Sequence, residues 1–410
     1  MLFDKFKFVS LQNSKINKLK SYLKSAHLKG YRTVIDVSAN FNDGLNVIIG
    51  QNGSGKTNFL TFLYDTIRNS YKPYSNLSSK LEFSGNPEFC VETITSLNES
   101  PTGLDNSLLK TNREFIVTTN KHEKKIFTKQ EEFNDYLNEK SLKSFVQFIP
   151  HGIRKDNKII DVPFSFVYKG KQAPDLIDAW IADSNSWLVR SLCLKIFIDG
   201  YSLSDDESVV KAKIIKATRD TLDQYLQNIN ESIKNYLPIE EVRISPTFRV
   251  FDDTNDESVK FEGLAFEYFF NGSWLPFSSL SDGTKRLFCI YADITADINL
   301  ATGLKGHIKT NQIILLEEPE LGIHPHQFHK IMLFLKNVSQ ESQIIITTHS
   351  PQALNIFSKE ELGAINICTF DNESGTKISR LTSAELAKAK AFMDEMYLSD
   401  YWVNSTLDRI

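Results

Sequence analysis

Gly50-Gln51-Asn52-Gly53-Ser54-Gly55-Lys56-Thr57 is the stretch on which the fold turns. It fits the spacing G-x-x-x-x-G-K-[ST], and its flanks fit as well. The apolar run Leu45 to Ile49 before it reads as a buried strand, and from Asn58 onward Phe59, Phe62, Leu63 and Ile67 recur at helical spacing until Pro73 ends the pattern. Strand, glycine-rich turn and helix together make a phosphate cradle. Glycines let successive backbone N–H groups curl around an anion, and the helix adds its positive N-terminal end. Asn52, Gly53, Ser54 and Gly55 form the turn, Lys56 brings charge to the β and γ phosphates, Thr57 offers a hydroxyl to Mg²⁺, and Asn58 opens the helix. A plain turn would account for the glycines but not for Lys-Thr at that offset.

Two further apolar runs place chemistry beside this cradle. Ile313-Ile314-Leu315-Leu316 reads as a buried strand that delivers Glu317 and Glu318 at its carboxyl end, where ligands bind in open parallel sheets. Two adjacent acids there are costly unless a cation arrives. Glu317 is expected to hold the magnesium site directly or through water, and Glu318 to polarise an attacking water. Ile344-Ile345-Ile346 reads as a third strand, delivering Thr347, Thr348 and His349, and a histidine so placed can hydrogen-bond a γ-phosphate.

The remainder is read more coarsely. Phe6, Phe8 and Leu11 suggest a short strand, Lys15 to His27 a helix, and Tyr31 to Phe41 a second strand. Residues 74–110, rich in Ser, Asn, Pro and Gly, read as a loop-rich insertion, and Arg113 to Phe127 as a hairpin turning near Asn120. Phe145 to Pro150 is an apolar strand, and Asp175 to Tyr236 is mostly helical, with an amphipathic segment from Val209 that Pro238 closes. Strands are expected at Val242 to Phe251 and Val259 to Phe270, after which strand and helix alternate as in a parallel sheet.

Composition sets outer bounds. The chain has 410 residues, 41% hydrophobic and 24% charged, the range of globular proteins with a sizeable core, and one or two domains are both compatible with that length. A net charge of −4 advertises no global field for nucleic acid. Cys90, Cys193, Cys289 and Cys368 lie far apart without metal-ligand spacing, as free thiols in a reducing compartment would. The N-terminus lacks a signal-like apolar segment, and no apolar run reaches the roughly eighteen residues of a membrane span, so a cytoplasmic protein without a membrane partner is expected.

Leu280-Ser281-Asp282-Gly283-Thr284-Lys285-Arg286 resembles the ABC signature, usually Leu-Ser-x-Gly. Together with GQNGSGKT, IILLEEPELGIHP and TTHSP in that order, it makes the chain resemble ABC ATPases of the branch that includes the OLD family, RecF and SMC heads. The tract GYRTVIDVSANFNDGLNVIIG resembles the first strands of that branch, in which an arginine after an aromatic residue approaches the nucleotide phosphates; here it is Arg32. Glu317 departs from the more usual aspartate. The resemblance covers residues 1–72 and 240–410 and says little about 73–239.

The resemblance implies an α/β ABC ATPase head: a mainly parallel P-loop sheet flanked by helices, an antiparallel β subdomain and a helical insertion. Residues 1–150 would form the N-terminal lobe, with a loop-rich and hairpin insertion at about 73–130; residues 151–239 a helical insertion or lid; and residues 240–410 the C-terminal lobe. The implied ligands are ATP and Mg²⁺. Ser281 and Gly283 would contact the γ-phosphate of ATP held by a second copy, and Gln147 would sense Mg²⁺ between the lobes. The chain resembles the ATPase half of two-component antiphage defence systems, in which a separate effector, a nuclease or toxin, carries the damaging activity. A repair ATPase of the RecF kind is the alternative, and DNA is a possible partner under either reading.

Overall fold

The computed structural model describes residues 21–68, 70, 76–97, 111–119, 123–150, 164–168, 207–254, 258–295 and 311–404. Its centre is a six-stranded sheet in the order β18-β17-β3-β16-β15-β8. The members are β3 (Leu45–Ile49), β8 (Ser144–Ile149), β15 (Asn311–Glu317), β16 (Gln343–Thr348), β17 (Ile365–Asp371) and β18 (Gly375–Arg380). All neighbours are parallel except β17 and β18, which form a hairpin. Because successive side chains on a strand point to opposite faces, a sheet covered on both sides needs apolar residues at every position. The middles of the three central strands largely meet that demand, Asn46 being the exception. Ile48, Ile313, Leu315 and Ile345 belong to one apolar cluster, whereas Val47, Ile49, Ile314, Leu316, Ile344 and Ile346 belong to the other.

The first cluster is roofed by α1 (Lys56–Arg68), which buries Phe59, Leu60, Phe62 and Leu63, and by a second, antiparallel sheet beyond it. That sheet has the order β2-β1-β4-β5-β6-β7 and comprises β1 (Ser21–Tyr31), β2 (Val34–Asn40), β4 (Leu77–Gly85), β5 (Phe89–Leu97), β6 (Thr111–Thr119) and β7 (Lys124–Phe127). The helix α2 (Gln130–Glu139) closes its edge, stacking Phe133 on Phe115 with ring centroids 4.4 Å apart. On the other face of the central sheet pack α3 (Glu207–Tyr236), α4 (Asp282–Thr295) and α5 (Pro325–Val338). Two small sheets extend this side: β10 (Glu241–Ile244), β13 (Phe266–Phe270) and β14 (Ser273–Pro276) form one, and β9 (Phe164–Tyr168), β11 (Arg249–Asp253) and β12 (Ser258–Leu264) the other. The helices α6 (Ser383–Phe392) and α7 (Leu398–Asn404) follow; α6 starts on a capping box between Thr382 and Glu385.

Four expectations are corrected. Residues 21–27, read as the end of a helix, are strand: β1 is paired on one side with β2 and on the other with β4, and pairing on both edges overrides a local helical pattern. The stretch 74–110, read as loop-rich, contains β4 and β5; its polar look comes from Ser79, Thr93 and Thr95, which point into the core. Val242 to Phe251 is two strands, β10 and β11, in different sheets, broken around Pro246. Val259 to Phe270 likewise divides into β12 and β13. The long amphipathic helix is present as α3. Its stripe of Ile214, Leu222, Ile229 and Ile233 lies in the core of the head itself.

The strand expected at Phe6 to Leu11, the turn at Asn120, the helical stretch 175–206 and Cys193 lie outside the described residues. Cys90, Cys289 and Cys368 are free thiols. No helix among the described residues is long and apolar enough to cross a membrane.

Candidate functional site

The chain leaves β3 at Ile49 and turns back on itself before α1. Gly55 sits at φ +94°, and a Cβ there would collide with Thr376 Oγ1 of β18, so this position excludes a side chain on two counts. Lys56 is 4% exposed, and its ammonium donates to the carbonyls of Gly50 and Gln51, both at 2.9 Å. Burial pushes its pKa down, and the Glu318 carboxylate, 4.0 Å away, pulls in the opposite direction. Ser54 Oγ is buried without a hydrogen-bond partner. Asn58 donates to Thr33 Oγ1 at 2.9 Å and accepts from Arg32 at 3.3 Å, so Arg32, at the β1–β2 turn, is brought beside the first turn of α1. The lowered Lys56 pKa and the orphaned Ser54 hydroxyl are both answered by a bound anion.

The carboxylates come from the neighbouring strand ends. Glu317, 2% exposed, accepts a hydrogen bond from Thr57 Oγ1, so the hydroxyl and the carboxylate form an oxygen donor pair of the kind Mg²⁺ takes. Glu318 departs from the strand with φ +40°, an unusual conformation for a residue with a side chain, and donates its N–H to Thr347 O at 2.8 Å. Its carboxylate lies between two cationic or polar groups, Lys56 Nζ at 4.0 Å and His349 Nδ1 at 3.8 Å. The guanidinium of Arg286 holds the backbone here, donating to the carbonyls of Glu317 at 3.0 Å and Glu318 at 2.6 Å. Burial lowers the Arg286 pKa, against the pull of Glu320, Glu317 and Glu318.

Lys56, Thr57, Glu317, Glu318 and His349, which lie far apart in the chain, therefore meet at the carboxyl ends of β3, β16 and β15. Ser281 and Gly283 stand at the start of α4, where Ser281 Oγ accepts from the Thr284 N–H at 3.3 Å. A Cβ on Gly283 would strike the Gly322 carbonyl, so glycine there lets the helix start lie against the loop that follows Glu318. Gln147 is not brought to the carboxylates. It pairs opposite Ile314, three positions short of Glu317, is fully buried, and donates to the Asp293 carbonyl at 2.8 Å.

Two residues of the site had no role in the sequence reading. Arg286 was visible only as the last letter of the signature-like segment, and Glu320 as the second acid of Glu318-Pro319-Glu320. Both act through backbone atoms or residues remote in sequence, so no local spacing flags them.

Residues 45–355 match the family model described as "AAA domain, putative AbiEii toxin, Type IV TA system". The retron Vc95 probable ATPase of Vibrio cholerae is 29% identical over 150 residues, 36% of this chain but only 26% of that protein. The Septu protein PtuA of Bacillus thuringiensis is 23% identical over 369 residues, 88% of this chain and 80% of that protein. Among solved structures, an SMC head bound to the C-winged helix domain of ScpA superposes with a TM-score of 0.50 at 16% identity, covering 90% of this chain and 99% of that one. At such identity the likeness concerns the fold.

Proposed function

The chain belongs to this AAA-domain family, within the ABC ATPases of the OLD-like, RecF and SMC branch, and we propose that it is a head that hydrolyses ATP between two copies of itself and so controls a separate effector. One observation carries the reading: Lys56, the Thr57–Glu317 pair, Glu318 and His349 converge at one point on three adjacent strand ends. In this proposal Lys56 and the turn Asn52 to Gly55 hold the phosphates, with Arg32 and Asn58 at their side. Mg²⁺, when bound, neutralises charge on the phosphates and on the leaving group. Thr57 and Glu317 supply its protein oxygens. Glu318 takes the proton of the attacking water, and His349 donates a hydrogen bond to the phosphoryl group being transferred.

Ser281 and Gly283 would complete the site of a second copy, because the start of α4 aims its N–H groups and dipole at an anion. Bound ATP then joins two heads and hydrolysis releases them, a two-state cycle that an effector can read. Relatives with names from retron and Septu systems support placing the cycle in antiphage defence. The damaging chemistry is assigned to a second protein, and this chain is expected to cut no nucleic acid.

Glu318→Gln tests the proposal directly, since the amide keeps the shape and loses the base. ATP titration should give near wild-type affinity while phosphate release falls by about a hundredfold or more. ATP-bound pairs should accumulate, and an effector should co-purify with them from the native host. Wild-type turnover in this variant would remove Glu318 from the mechanism.

A further inference from the structure

Glu320 contributes nothing to the phosphate cradle, yet its carboxylate is bonded to the segment that carries His349. Its Oε1 accepts from Thr348 Oγ1 at 2.6 Å and from the His349 N–H at 2.9 Å, and lies 3.1 Å from His349 Nδ1. All three atoms belong to the end of β16. The Thr348 hydroxyl extends the array by accepting from the Ser350 N–H at 2.9 Å. The side chain is 9% exposed, and its second oxygen, Oε2, is buried without a hydrogen-bond partner. A carboxylate so placed is retained only if its charge is used, because an unpaired buried charge is costly.

The imidazole of His349 is where that charge acts. Nδ1 makes no hydrogen bond in this structure, and its neighbours are two carboxylates, Glu320 at 3.1 Å and Glu318 at 3.8 Å, both acceptors when ionised. Two cations stand beyond them: Arg286 interacts electrostatically with Glu320, and Lys56 lies 4.0 Å from Glu318. A ring nitrogen surrounded by acceptors carries a proton, and the tautomer of a neutral imidazole then follows. We propose that Glu320 is a positioning residue for His349, holding the ring so that Nδ1 bears the proton toward the carboxylate and Nε2 is the nitrogen presented to the transferring phosphoryl group. The inference rests on the ATPase reading above for its consequence, though not for the tautomer itself. It also makes the strand end a coupled unit: the segment after Glu318 and the segment carrying His349 are tied through one carboxylate, so a shift of either moves the other.

Glu320→Gln keeps the shape and can still accept a hydrogen bond, but a neutral amide binds these donors more weakly than a carboxylate does. Its kcat is expected to fall at least about tenfold while KM and ATP affinity stay within about threefold, because the loss falls on the reacting state and not on binding. Combined with His349→Ala, the Glu320 substitution should cost nothing further, since both remove the same interaction. Nitrogen NMR of histidine-labelled protein, with the His349 signals assigned by their loss in His349→Gln, should show Nδ1 protonated in the wild type and the preference lost in Glu320→Gln.

An Nε2-protonated His349 in the wild type would overturn the proposal, as would wild-type kcat in Glu320→Gln or costs that add with those of His349→Ala. If the wild type hydrolyses no ATP at all, the ATPase reading fails, and the tautomer measurement still decides the present one. Glu320→Ala is the less secure variant because it leaves Thr348 and the His349 N–H without an acceptor. Thermal melting identifies it if it fails to fold, and the Gln variant then carries the test.

Discussion

Lys56 illustrates a residue that opposes the stability of the protein it serves. Its ammonium is buried in the cradle with two carbonyl acceptors, and burial lowers its pKa from the ordinary value of 10.5. The folded state therefore binds this proton less tightly than the unfolded chain does. By linkage the cost is fully present below the depressed pKa and disappears as pH rises toward 10.5. Lys56→Met should be no less stable than the wild type without nucleotide. Its advantage should shrink as pH rises through that window, and the upward shift in melting temperature that ATP gives the wild type should be lost. Denaturant and thermal melts across alkaline pH, with and without ATP, check each statement. A marked loss of stability in the nucleotide-free variant would mean that the hydrogen bonds to Gly50 and Gln51 outweigh the buried charge.

At the scale of elements, two pieces of backbone are held together around the site. The start of α4 lies against the loop Glu320–Ile323, with Gly283 facing the Gly322 carbonyl, and Arg286 one turn further on binds the carbonyls of Glu317 and Glu318. Helix and strand end thus share one interface with no room for a methyl group. Gly283→Ala should cost about 1–3 kcal/mol of stability, the usual penalty for overpacking, because the obstacle is backbone and not a flexible side chain. Nucleotide affinity of the single head should hold, since the cradle is built on β3 and α1, while turnover should fall. Urea unfolding and ATP titration separate the two effects. Wild-type stability and turnover together would show that the loop yields without consequence.

For the whole molecule, the proposal is that one head carries only half of each site. Ser281→Arg should bind ATP and fail to turn it over, because the bulky cation occupies the space a second copy's γ-phosphate requires. Mixed with Lys56→Ala, it should recover part of the activity. In such a mixed pair one composite site joins an intact cradle to an intact signature segment, and the other has neither. Recovery is read as phosphate release against each variant alone. Full activity of Ser281→Arg as an isolated monomer would end the two-headed account, whatever the fold.

The phosphate cradle was legible in the sequence because its chemistry is local. Eight consecutive residues with fixed offsets carry glycines, ammonium and hydroxyl, and the strands Leu45 to Ile49, Ile313 to Leu316 and Ile344 to Ile346 announce themselves as apolar runs broken only by Asn46. The antiparallel sheet was not legible in the same way. In β1 a helical pattern was overridden by partners on both edges, and β4 and β5 bury Ser79, Thr93 and Thr95 where alternation calls for apolar residues. Gln147 entered as a candidate site residue through the family resemblance, not through any local spacing. Its depth along β8, set by register with β15, places it opposite Ile314, with its amide donating to the Asp293 carbonyl. Glu320 and Arg286 complete the contrast. Their importance comes from pairing with Thr348, His349 and the carbonyls of Glu317 and Glu318 across the fold. Sequence alone determined which residues are candidates for phosphate chemistry, since motif spacing is a property of neighbours along the chain. Register, depth and the buried partners of charged groups belong to neighbours in space, and only the tertiary structure decided those.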